Sequence, residues 1–271
     1  MKTTLVLLPN LLDESLSHEG FLPANINETV NGLDGLIAES EKGARKFLMR
    51  FSYGEEKTFR DVPIHLLNEH SDKDDIDDLV ELLNKGGRWG LISDCGLPCI
   101  ADPGAQLVAR MQVHRAEVEV VPGPSSIIMA LMLSGISSKS FSFNGYLPKK
   151  PEQIKPSILQ QQKASSFQKQ TQIYIEAPYR SKKTLQYLIS YLAPDTELCV
   201  AWNLTLKNQG VATKTVSQWK GTALPDLNKT PAVFLFRAAP AKNLKKSKGI
   251  GKKGRFYDPR KKRRRKMAGY K

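Results

Sequence analysis

The chain has 271 residues, 40% of them hydrophobic, with 41 Lys and Arg against 27 Asp and Glu and a formal charge of +14. That is enough chain and apolar content for two modest domains with cores of their own. No apolar run approaches the length of a membrane span, because residues 5–12 are interrupted by Pro9 and Asn10, and the same break speaks against a secretory signal.

Taken in order, residues 4–8 and 34–38 read as strands, and residues 74–85 as a helix in which Ile76, Leu79, Val80 and Leu83 bury one face. Ser71 and Asp74 are the candidate caps, so the acidic cluster at 72–78 reads as a helix N-terminus and not as a cation site. Residues 89–92 and 118–121 are short apolar runs with strand character. Residues 141–148 are the expected crossing between an N-terminal half, residues 1–140, and a C-terminal half, residues 141–241. Beyond it, 151–169 is expected to be partly helical, 172–175 a strand, 181–191 a helix, and 198–202 and 232–236 further strands. The fold class is therefore α/β, two halves with a mixed sheet in the second, and no internal repeat.

The most informative segments are Leu91-Ile-Ser-Asp-Cys-Gly-Leu-Pro-Cys-Ile-Ala-Asp-Pro-Gly104 and Val121-Pro-Gly-Pro-Ser-Ser126. In each, a strand-like run breaks into a Gly/Pro turn before an apolar helix-like run, which is how an α/β sheet presents backbone to a ligand at its strand ends. Gly96 allows close backbone approach, and Ser125 and Ser126 can cap the run 127–133, leaving N–H groups free to meet an anion. Cys95, Cys99 and Cys199 form no framework of pairs, which fits a reducing cytoplasm. The four histidines are scattered and give Cys95 and Cys99 no partner pair at ligand spacing, so no metal is expected.

Charge is distributed unevenly. Residues 1–241 hold 26 basic and 26 acidic side chains, whereas residues 242–271 hold 15 basic ones and a single acid, Asp258. Such a segment has too few apolar groups to pack and too much like charge to collapse, so it is expected to be disordered in isolation. Phe256 and Tyr257 among the cations suit stacking on unpaired bases beside phosphate contacts, which makes RNA the first choice of partner. A solubilising terminus or a contact with anionic lipid is the alternative, but no amphipathic helix or lipidation signal accompanies the run.

At nine places in register, the chain resembles the tetrapyrrole methylase superfamily, and within it the branch that methylates a ribose 2'-hydroxyl of small-subunit ribosomal RNA. The matching segments are 5–10, 38–40, 65–71, 92–104, 122–135, Phe141-Ser-Phe-Asn-Gly-Tyr-Leu-Pro-Lys149, Tyr174-Ile-Glu-Ala-Pro-Tyr-Arg180, Ala201-Trp-Asn-Leu-Thr205 and Thr230-Pro-Ala-Val-Phe234. It departs from that branch where Pro-x-Gly-Asn is replaced by Pro9-Asn10-Leu11 and Ala-Glu-Asp-Thr-Arg by Ala38-Glu-Ser-Glu-Lys42. Asp-Ala-Gly-Thr-Pro is likewise replaced by Asp94-Cys-Gly-Leu-Pro98, and Arg-Glu-Leu-Thr-Lys by Trp202-Asn-Leu-Thr-Leu206. The turns survive better than the polar positions, which marks a divergent relative.

The resemblance implies S-adenosylmethionine as cofactor, held between the halves, and a homodimer. By the same matching, Pro9, Asp94, Cys95, Gly96, Ser125, Ser126, Glu176, Ala177, Pro178, Asn203, Leu204, Pro231 and Ala232 would surround the cofactor. No Gly-x-Gly-x-x-Gly supports a Rossmann-type methyltransferase. A ribose hydroxyl needs help to lose its proton, and Glu39, Glu69 and His70, in the segments matching the N-terminal polar motifs, are the candidate bases. A non-catalytic RNA-binding or ribosome-assembly protein on a methylase scaffold, and a small-molecule methylase, are the other readings.

Overall fold

The computed structural model describes residues 2–55 and 57–240. The basic segment 242–271, with the disorder and RNA contacts expected of it, lies outside the described residues.

The first part of the chain builds β1 (Thr3–Leu7), α1 (Ile26–Asn31), β2 (Gly35–Ala38), α2 (Glu41–Leu48), β3 (Ile64–Leu66), α3 (Lys73–Asn84), β4 (Gly87–Leu91), α4 (Gly104–Val113) and β5 (Glu117–Val120). Its five strands form a parallel sheet in the order β3-β2-β4-β1-β5. Parallel sheets need cover on both faces, which is why β2 is buried along its whole length. One face packs Val6, Leu36, Phe47 and Leu48, and the other packs Leu5, Ile37, Leu79, Leu83 and Leu107. Because Leu7 pairs with Leu91 in β4 and with Val120 in β5, the carboxyl ends of these strands finish level and release their loops on one side.

The second part builds α5 (Ser126–Ser134), β6 (Phe141–Phe143), α6 (Pro151–Gln168), β7 (Thr171–Glu176), α7 (Ser181–Tyr191), β8 (Glu197–Trp202), β9 (Gly210–Thr215), α8 (Val216–Lys220) and β10 (Ala232–Arg237). The sheet order is β6-β7-β10-β8-β9, with β6 and β7 parallel and the other pairs antiparallel. Helices α6, α7 and α8 cover one face around Tyr174, Trp219, Phe234 and Phe236. Helix α5 covers the other, burying Ile127, Ala130 and Leu131 against Ile173, Cys199, Ala201 and Val233.

That placement moves the crossing between the sheets. The sequence points to residues 141–148, but α5 already belongs to the second sheet, so the chain crosses at 121–125. The apolar run of α5 supplies the reason, since it needs an apolar sheet face to cover, and Gly123 makes the crossing tight. A Cβ at Gly123 would meet Pro9 Cβ at 2.1 Å. The cap of α3 also differs: Asp72, not Ser71 or Asp74, is the N-cap, and it forms a reciprocal capping box with Asp75. Strands β3 and β9 were not legible, being a three-residue edge and a half-exposed edge strand respectively.

Trp219 ties α8 to the second sheet, with its ring buried and its Nε1 donating to the Leu198 carbonyl at 2.8 Å. Trp219→Ala is expected to cost about 3–5 kcal/mol, read as a lowered midpoint of denaturant unfolding with an unchanged slope.

Candidate functional site at the carboxyl ends of the first sheet

A cavity of about 300 Å³ opens where the carboxyl ends of β2 and β4 and the start of α5 face β7, β8 and β10. This is the position at which α/β sheets bind small molecules. The loop 93–96 after β4 forms its floor. Asn10 donates through Nδ2 to the carbonyls of Ser93 at 3.0 Å and Asp94 at 3.1 Å, and its own N–H donates to Gly96 O at 2.7 Å. From β2, Glu39 Oε1 accepts the Asp94 N–H at 2.9 Å, and Ser40 Oγ donates to Asp94 Oδ1 at 2.9 Å while accepting the Gly43 N–H as the N-cap of α2. Gly96 turns the chain at φ +76°.

Of the residues expected around the cofactor, Asp94, Cys95, Gly96, Ser125, Ser126, Glu176, Leu204, Pro231 and Ala232 line the cavity. Pro9, Ala177, Pro178 and Asn203 are not among its lining residues. Pro9 packs on Gly123, and Asn203 sits at φ +49° in the turn that presents Leu204. Of the three candidate bases, only Glu39 reaches the cavity. Glu69 and His70 are exposed beside one another, 3.9 Å apart, although the charge of Glu69 still reaches Tyr146.

Sequence reasoning missed Leu12, Ser93, Leu97, Ile100, Ala101, Asp102, Ile127, Tyr146, Ile175, Ala201 and Val233 in the lining. Asp102 and Tyr146 stand inside motifs that had been singled out, and that was the signal available. Asp102 Oδ1 accepts from the Cys99 N–H at 3.0 Å and the Gly104 N–H at 2.8 Å, holding a loop in which Cys99 and Ala101 both adopt positive φ. Its buried Oδ2 has no partner among the described residues.

The electrostatics are one-sided. Glu39, Asp94, Asp102 and Glu176 line the cavity, and among the described residues no lysine or arginine does. Glu176 is fully buried and already satisfied by Thr184 Oγ1 at 2.8 Å, the Ala177 N–H at 3.0 Å and Arg180 at 3.4 Å. Burial and the charges of Glu176 and Glu39 raise the Tyr146 hydroxyl above its ordinary range. Cys95 keeps an exposed edge, but the protein packed around its sulfur and the carboxylates of Asp13, Asp94 and Glu39 push the thiol up to about 11. Among the described residues no cluster of His, Cys, Asp and Glu is arranged to hold a metal ion.

Two outcomes are expected. Asn10→Ala leaves the carbonyls of Ser93 and Asp94 without their donor and is expected to cost about 1–3 kcal/mol in chemical denaturation. Cys95, being protonated at neutral pH, is expected to react with iodoacetamide about a hundredfold more slowly at pH 7.5 than an unperturbed thiol, and to accelerate only as the pH rises toward 11.

Comparison with known proteins agrees with this geometry. Residues 36–219 match the family described as tetrapyrrole (corrin/porphyrin) methylases. A ribosomal RNA small subunit methyltransferase I of Vibrio cholerae is 33% identical over 178 residues, which is 66% of this chain and 58% of that protein. The protein of the same name from Haemophilus influenzae is 30% identical over 203 residues, 75% of this chain and 68% of that one. The chain thus spans between about three fifths and two thirds of the length of these relatives. The crystal structure of the methyltransferase CobJ superposes with a TM-score of 0.57 at 15% identity, over 88% of this chain and 95% of that one, which is a likeness of fold. The chain belongs to the tetrapyrrole methylase family, in the branch of the small-subunit ribosomal RNA methyltransferase I proteins.

Proposed function

We propose that the chain is an S-adenosylmethionine-dependent methyltransferase acting on ribosomal RNA, with a ribose 2'-hydroxyl as the favoured acceptor. The observation that carries the reading is the lining of the cavity, which among the described residues holds the carboxylates of Glu39, Asp94, Asp102 and the Arg180-paired Glu176 and no lysine or arginine. Such a lining suits a cationic sulfonium compound and repels a phosphate chain. The residues fit the cofactor in detail. Asp102 Oδ2, buried and without a partner among the described residues, is an acceptor for an ammonium group, and the start of α5 at Ser126 and Ile127 offers N–H groups to a carboxylate. Ile127, Ile175, Ala201, Leu204 and Val233 give apolar walls for a nucleoside ring.

When bound, S-adenosylmethionine supplies an activated methyl group. What remains for the protein is alignment of the two reactants, exclusion of water and removal of a proton. Glu39 stands at the cavity but spends one oxygen on the Asp94 N–H, so it serves first to position that loop. The relatives' name supports RNA as substrate. The 15 cations of 242–271 support a further role for that segment in phosphate contacts. The absence of a membrane-spanning helix among the described residues is compatible with work on cytoplasmic ribosomal RNA. Ile128 and Met132, exposed on α5, offer an apolar surface to a second copy in a homodimer.

Calorimetric titration with S-adenosylmethionine and S-adenosylhomocysteine is the deciding test. One site per chain is expected. Asp102→Asn keeps the Oδ1 acceptor but replaces the orphaned oxygen with a donor, and is expected to weaken binding about tenfold or more. No binding of either ligand would leave a non-catalytic scaffold. Removing residues 242–271 is expected to flatten the salt dependence of RNA affinity, measured as log K against log salt, while cofactor affinity stays the same.

A further inference from the structure

A second cavity of about 240 Å³ adjoins the first and shares Leu12 and Asp94 with it as a common wall. Its charged lining also includes Asp13, Glu14, Lys46 and Arg50, so this cavity presents a lysine and an arginine where the first, among the described residues, presents none. We infer that this second cavity holds the acceptor nucleotide of the RNA, its phosphate on Lys46 and Arg50, and that Asp94 in the shared wall takes the proton of the attacking ribose hydroxyl.

The mixed lining fits a ribose phosphate better than a lone anion or a lone cation, because guanidinium and ammonium groups pair with phosphate while carboxylates accept from ribose hydroxyls. Arg50 is fixed from behind, Nη1 donating to Leu16 O and Nη2 to Glu14 O at 2.9 Å each, and its buried Nε has no partner among the described residues. Lys46, in the last turn of α2, pairs with Glu14, its side chain still 42% exposed and able to turn to a ligand. Asp94 is held at the wall by Ser40 Oγ, which donates to both of its oxygens, at 2.9 and 3.2 Å. The approach is close: a Cβ at Gly43 would lie 2.2 Å from Asp94 Oδ1. Glu39 lines only the first cavity, which leaves Asp94 as the carboxylate that faces both.

The step balances without a further reactant. The hydroxyl oxygen forms a bond to the methyl carbon, the carbon–sulfur bond breaks with its electron pair going to sulfur, and the proton passes to Asp94, leaving a methyl ether and a neutral thioether.

This inference rests on the methyltransferase reading, and one set of measurements separates the two. Methyl transfer to small ribosomal subunits that lack this methylation is measured together with calorimetry of S-adenosylmethionine. Asp94→Asn removes one of the carboxylates lining the cofactor cavity and is expected to weaken the cofactor Kd about tenfold or less, while kcat at saturating S-adenosylmethionine falls about a hundredfold. Lys46→Ala is expected to raise KM for the subunits about tenfold with kcat and cofactor Kd kept, and Lys46→Arg to restore it. Loss of cofactor affinity in Asp94→Asn as steep as the loss of rate, or an unchanged KM in Lys46→Ala, would overturn the assignment. A wild-type chain that binds no S-adenosylmethionine would overturn the methyltransferase reading and this one with it.

Discussion

The site depends on how the four residues after β4 are held. Ser93 to Gly96 leave the sheet and cannot continue its hydrogen-bond ladder, so their backbone groups need other partners. Asn10 from the end of β1 satisfies carbonyls of Ser93 and Asp94 and donates its own N–H to Gly96, and Glu39 from the end of β2 accepts the Asp94 N–H. Three strand ends are thereby locked together by polar groups at the edge of the sheet where the cavity opens. The parallel register that brings Leu7 level with Leu91 makes this geometry possible.

The second sheet contributes the opposing wall and much of its apolar surface. Helix α5 is the link, because it begins at the cavity with Ser125 as its cap and ends buried against β8, β9 and β10. Its first turn therefore belongs to the site and its remaining turns to the core, so the site is anchored by the packing of both sheets. Charge divides the same region. Among the described residues the cavity between the sheets is lined by carboxylates without a cation, while Lys46 and Arg50 lie one residue wall away, beyond Asp94, among the carboxylates of Asp13 and Glu14.

Much of the site was legible as motif. The Gly/Pro turns at 93–98 and 122–124 advertise themselves because few residue types tolerate their backbone, and nine of the thirteen residues expected around the cofactor line the cavity. The polar positions were not legible to the same degree. A carboxylate in a loop reads the same whether it lines a cavity, as Asp102 does, or faces solvent, as Glu69 does, and the difference is made by the loop that carries it. The partition of α5 was misplaced for a related reason, since an apolar helix names no sheet face as its partner.

The sequence by itself determined the α/β class, most strands and helices, the turns that open toward a ligand, and the membership of the methylase family, since each of these is written in local periodicity, Gly and Pro placement or ordered motifs. Only the tertiary structure decided which side chains meet. Asn10 and Ser93 stand 83 positions apart and Ser40 and Asp94 stand 54 apart, and their pairing follows from strand order and register, which no local pattern encodes.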